Sequence, residues 1–107
     1  MSLSLKEQVQ NLSDGMKRWM VNSTYTQSDI DKCIAALEKY LVDIANSKSR
    51  KAGMLHVKEV VTALNSSAFG LIDTGRREQI CNIIVEAAHE MGYCGENEAI
   101  TDPWREW

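Results

Sequence analysis

Apolar residues along this chain recur at intervals of three and four, with polar residues falling on the opposite side of the same helical wheel. Leu5, Val9, Leu12, Met16, Trp19 and Met20 form one stripe, and Lys6, Glu7, Gln10, Asp14, Lys17 and Arg18 lie away from it. That pattern predicts a first helix over residues 5–21. Ser4 followed by Glu7 reads as a capping box, each side chain satisfying a backbone N–H that the first turn leaves unpaired. Gly15 costs this helix about 1 kcal/mol relative to alanine. Its place beside the stripe predicts a close helix contact there.

A second helix follows, capped by Thr26 or Ser28, with Asp29 and Asp31 near the positive end of its dipole. Ile30, Cys33, Ile34, Leu37, Leu41 and Ile44 supply its buried face, and it is expected to end near Asn46, where the polar linker Asn46-Ser47-Lys48-Ser49-Arg50 begins. A third helix is predicted over residues 53–65, with Met54, Val57, Val61 and Leu64 inward. Phe69, Leu71 and Ile72 in the following loop are expected to plug the base of the core. Asp73 or Thr74 then caps a fourth helix over residues 75–91, whose apolar face is Ile80, Cys81, Ile84, Ala87, Ala88 and Met91. Gly92 is placed to end it in the left-handed conformation, with a packing contact from Tyr93. The tail from Cys94 closes with Asp102-Pro103-Trp104-Arg105-Glu106-Trp107. Asp before Pro favours a helical start, and one turn would set Trp104 and Trp107 on the same side. The expectation is an all-α fold: one domain over residues 1–107, a four-helix bundle with a short C-terminal helical turn packed on it.

Composition narrows the function classes. The chain has 107 residues, one proline and a net charge of −3. No apolar run approaches the roughly 20 residues of a membrane span, and no basic-then-apolar leader opens the sequence. Three cysteines without a C-x-x-C pair fit neither a disulfide framework nor a zinc knuckle, so the cytoplasm is the expected compartment. The charge is uneven, +2 over residues 1–70 and −5 over residues 71–107. The acidic end is therefore expected to lie against the basic Lys48-Ser49-Arg50-Lys51 segment or to face a partner. Nucleic acid is not expected as that partner: no helix presents a row of side chains suited to base edges.

Three constellations bear on chemistry. Glu86 with His89, and His56 with Glu59 in the reverse order, echo the Glu-x-x-His pairs of carboxylate-bridged di-iron bundles. At 100° per residue, however, both pairs point away from the apolar stripes of their helices, so solvated faces are expected and no metal or cofactor is predicted. Gly75, Arg76 and Arg77 at the start of the fourth helix bring free N–H groups and two guanidinium groups together, an anion-binding combination unless Asp73, Glu78 or the acidic tail neutralises it. Cys33 and Cys81 belong to buried stripes, while Cys94 in its Tyr-Cys-Gly loop is expected to be accessible, but with no histidine placed near it. No catalytic residue is predicted. The aromatic residues are expected to seal the bundle ends, with a subset marking a partner face.

Leu71-Ile72-Asp73-Thr74, then Arg77-Glu78-Gln79-Ile80-Cys81, and the ending Ile100-Thr101 with Trp104-Arg105-Glu106-Trp107 resemble a group of small, uncharacterised bacterial all-helical proteins. The resemblance covers about the last third of the chain and implies a helical fold and no activity. It draws the Arg77/Glu78 pair and the Trp104, Arg105, Glu106, Trp107 ending together, because both recur in the pattern. The function expected from the sequence is a non-enzymatic interaction or regulatory protein, immunity-like, acting through the fourth helix and the tail on a protein partner or a second copy of itself. The alternative is an anion or small-metabolite binder using Gly75, Arg76 and Arg77.

Overall fold

Four helices carry the structure: α1 (Leu5–Trp19), α2 (Gln27–Ala45), α3 (Arg50–Ser67) and α4 (Thr74–Glu90). It is a computed structural model and describes residues 4–20, 25–67, 74–95 and 98–107. Among these there is no strand, and no helix is long and apolar enough to cross a membrane. The proposed plug of Phe69, Leu71 and Ile72, the Asp73 cap, Val21 and the Trp19 side chain lie outside the described residues.

The helix starts follow local chemistry. The Ser4 hydroxyl accepts from the Glu7 N–H at 3.2 Å. At α2 the box is complete: Thr26 Oγ1 accepts from the Asp29 N–H, and the Asp29 carboxylate accepts from the Thr26 N–H at 2.9 Å. α3 begins three residues earlier than the sequence predicts. Ser49 Oγ accepts from the Ala52 N–H and the Ser49 carbonyl accepts from the Gly53 N–H, so Gly53 lies inside the helix instead of starting it. α3 also runs past Asn65 to Ser67. α4 ends as predicted. Gly92 has φ +76°, its N–H donates to the His89 carbonyl, and the Tyr93 N–H donates to the Ala88 carbonyl. These are the two bonds of a Schellman motif, and they satisfy carbonyls that the helix end would leave open.

α2 is the hub: it packs against each of the other three helices, and α1 also packs on α4. The core joins Leu12 and Met16 of α1, Ile30 and Leu37 of α2, Val57 and Leu64 of α3, and Ile80, Ile83 and Ile84 of α4, all 0–1% exposed. Each such side chain contributes about 1.5–3 kcal/mol relative to an exposed one. Tyr40 replaces the half-buried Ile34 and Leu41 in the centre of α2's face, because its hydroxyl reaches across and donates to the Ile84 carbonyl at 2.7 Å. A buried phenol is tolerated when its O–H finds an acceptor.

The tail is docked. Ile100 and Thr101 are buried, and Trp104 and Trp107 pack half-buried against the core. Asn65 of α3 clamps it: Nδ2 donates to the Trp104 carbonyl at 2.7 Å and Oδ1 accepts from the Glu106 N–H at 2.9 Å. The turn closes on the Thr101 carbonyl, which accepts from the Trp104 and Arg105 N–H groups. Asp102, expected as its cap, pairs instead with Arg105 Nη2 at 3.3 Å.

Candidate functional site

Docking the tail against α4 brings Arg105 beside Arg77. Together with Glu78, Cys81 and Asn82 they line a surface depression of about 410 Å³. Arg105 is held from three sides. Nη1 donates to Cys81 Sγ at 3.3 Å, Nη2 pairs with Asp102, and the guanidinium carbon lies 5.5 Å from the centre of the Trp107 ring. Arg77 is half-buried and has no ion pair or hydrogen bond among the described residues. Two guanidinium groups, one fixed and one unpaired, can bind an anionic group by charge-assisted hydrogen bonds. Glu78, Asp102 and Glu106 are exposed around them, which makes the face mixed in sign.

The anion site predicted from Gly75, Arg76 and Arg77 is thereby redrawn. Arg76 leaves the pair: its guanidinium carbon sits 5.3 Å from the centre of the Tyr25 ring, and the Tyr25 hydroxyl donates to the Met16 carbonyl at the end of α1. Gly75 is exposed and lines none of this depression. Consecutive helix residues point 100° apart, so Arg76 and Arg77 diverge by construction. That divergence was legible in the sequence. The arrival of Arg105 was not, since it depends on where the tail docks.

The other predicted chemistry also shifts. Glu86 faces α1, where Gln8 Nε2 donates to its carboxylate at 2.6 Å, while His89 is exposed and its Nδ1 is 2.9 Å from the Cys94 carbonyl. A histidine therefore does reach the Cys94 loop, at the backbone and not at the thiol. Cys94 is half-buried, with its thiol directed to the Val85 carbonyl at 3.7 Å. Burial and the nearby Glu98 charge push that thiol above its ordinary value, Arg50 opposing. This is the reverse of an activated nucleophile. The basic linker meets the α4 end through Arg50 Nε, which donates to the Tyr93 carbonyl at 2.7 Å; no ion pair joins linker and tail among the described residues.

Glu59 is exposed, as its place on the helical wheel requires, but His56 is only half exposed to solvent. Its Nδ1 is buried between Glu59 Oε1 at 3.7 Å and Asp43 Oδ2 at 3.9 Å, without a hydrogen-bond partner. Asp43 carries no signal in the sequence that joins it to this group, because only the α2–α3 packing brings it to His56. The donor atoms of Asp43, His56 and Glu59 lie within 4.8 Å of one another, a set suited in type to a divalent cation. Lys39 already supplies the positive charge there, with Nζ 2.6 Å from Asp43 and 3.7 Å from Glu59. The arrangement is an ion-pair cluster on the rim of a cleft of about 250 Å³ between α2 and α3.

No protein-family model, curated protein or solved structure matches this chain.

Proposed function

We propose that this chain is a non-enzymatic interaction protein that recognises an acidic group of a partner protein on the face formed by α4 and the C-terminal tail. The observation that carries the reading is Arg77: a half-buried guanidinium without a partner among the described residues, lining the same depression as the fixed Arg105. A cation held in that state is a standing site for a carboxylate.

Two features favour a protein group over a free metabolite or a nucleic acid. The depression is a surface dish between one helix and a turn, whereas small-ligand sites enclose most of their ligand. The exposed Glu78, Asp102 and Glu106 beside the arginines repel a polyanion but tolerate one carboxylate seated between the guanidinium groups. The half-buried Trp104 and Trp107 add the amphipathic aromatic surface common at interaction sites. Three free cysteines suit a reducing cytoplasm as the place of action. The likeness to small bacterial helical proteins rests on these same residues and adds no activity to the reading.

The test is an NMR titration of labelled protein with a peptide that carries a single glutamate and, separately, with inorganic phosphate. Saturable shifts confined to Arg77, Asn82, Arg105 and the two tail tryptophan indoles, lost in Arg77→Glu, are expected with the peptide. An equal response to phosphate would make it a free-anion binder, and shifts spread over the surface or unchanged by Arg77→Glu would overturn the reading.

A further inference from the structure

A second surface, remote from the tail, has the makings of a self-association face. α1 and α2 leave a groove of about 600 Å³ between them on the outside of the bundle, floored by Val9, Ile34 and Leu41, with Val42 on its α2 wall. Val42 is 60% exposed, the highest of the large apolar residues described. The two walls differ in sign. The α1 wall carries Lys6 and Lys17, and the α2 wall carries Asp31 and Glu38. Each wall spans twelve residues, from Lys6 to Lys17 and from Asp31 to Val42, or about 16 Å at the helical rise.

The charges face each other across the groove without meeting. Lys6, Lys17 and Glu38 make no ion pair among the described residues, and Asp31 accepts only from its own helix neighbour Gln27, at 2.9 Å. A groove with one basic wall, one acidic wall and an apolar floor is complementary to itself. Turned by a two-fold rotation, a second copy sets its acidic wall on the first copy's basic wall and its basic wall on the first copy's acidic one. This is the isologous relation in which residue i meets j and j meets i. The same rotation sets Val42 of each copy against the α1 wall of the other, removing from water the most exposed large apolar residue among the described ones.

We propose that the α1–α2 groove is the interface of a symmetric dimer, its occupant a second copy of this chain. A foreign acidic or basic helix fits the charge pattern less well, because it satisfies one wall and repels the other. The face is separate from Arg77 and Arg105, so the dimer and the acidic-group reading stand or fall independently.

Sedimentation velocity across a concentration series tests it, with three variants at exposed positions. Wild type is expected to shift from 12.1 kDa towards twice that mass, and Val42→Lys, which sets a cation against the partner's basic wall, to raise the dimer dissociation constant at least about tenfold with an unchanged helical spectrum. Lys6→Glu/Lys17→Glu makes both walls acidic, and Asp31→Lys/Glu38→Lys makes both basic. Each is expected to be monomeric alone and to form a 1:1 heterodimer when mixed. A wild type that stays monomeric to millimolar concentration would overturn the proposal, as would charge variants that dimerise alone or fail to pair when mixed while remaining folded.

Discussion

The Tyr93 ring occupies the space where a side chain on Gly53 would have to be: a Cβ built on Gly53 falls onto ring atoms Cδ2 and Cε2. This contact ties the end of α4 to the first turn of α3. Tyr93 sits there because the Schellman turn at Gly92 throws it back across the bundle, and its hydroxyl is fixed against Ser47, 2.8 Å from Oγ and 3.2 Å from the carbonyl it donates to. A glycine inside a helix is unfavourable on its own. Here it makes room for an aromatic ring that fastens two helix ends.

Gly53→Ala is therefore expected to destabilise the fold by about 1–3 kcal/mol, although alanine is the better helix former, because the ring must leave its position. Denaturant unfolding checks this. Combining it with Tyr93→Ala should cost clearly less than the two single changes added together, since both remove the same contact.

Gly15 makes the opposite case. The sequence marks it as a point of close helix approach, but a Cβ there meets nothing within 4 Å. Gly15→Ala should stabilise the protein by about 0.5–1 kcal/mol through helix propensity and a less flexible unfolded chain. A lower midpoint in thermal unfolding would show that the site is not open.

Lys39 and Asp43 set a pH dependence. The Lys39 hydrogen bond and charge hold the Asp43 carboxyl below its usual range, with His56 assisting, and Asp43 in turn raises the Lys39 ammonium. A depressed acid stabilises the folded state above its unfolded pKa and loses that contribution as pH falls through the folded value. A raised base does so below its unfolded pKa and loses it as pH rises through the folded value. The stability gap between wild type and Asp43→Asn should thus be widest near neutrality and close at both extremes, in parallel denaturation series from acid to strongly alkaline pH. The gap is small, because the pair is solvent-screened.

The three cysteines should alkylate in order of access. Cys33 is fully buried, and loss of hydration pushes its thiol up to about 12 against the opposing charge of Arg76. Cys81 and Cys94 are half-buried. Iodoacetamide followed by mass spectrometry should label Cys33 on the order of 10³-fold more slowly than Cys81, and only through unfolding. Comparable rates would mean that the α2 face opens far more readily than its burial implies.

Much of the architecture is written locally. The stripes at three and four residues, the Ser4 and Thr26–Asp29 caps and the Gly92 stop are short-range features, and each appears where helical geometry requires it. Boundaries moved where a side chain's use lies elsewhere in the chain. Gly53 and Asn65 read as helix punctuation in isolation, but Gly53 admits Tyr93 and Asn65 grips the tail. The separation of Arg76 from Arg77 is likewise a local fact, fixed by 100° per residue.

The sequence by itself determined four helices, the caps of the first two, the Gly92 stop and a tail whose two tryptophans favour packing on the bundle. These follow from periodicity, from backbone groups that need partners within a turn and from apolar rings that avoid water. The tertiary structure alone decided which charges meet. Arg105 reaches Cys81 and the Arg77 depression from 24 residues away in the chain, Asp43 and His56 face each other across two helices, and the lysines of α1 look over an apolar groove at the acids of α2. Electrostatic encounters of this kind depend on distances through space, and in a bundle those distances are set by which helix faces pack together.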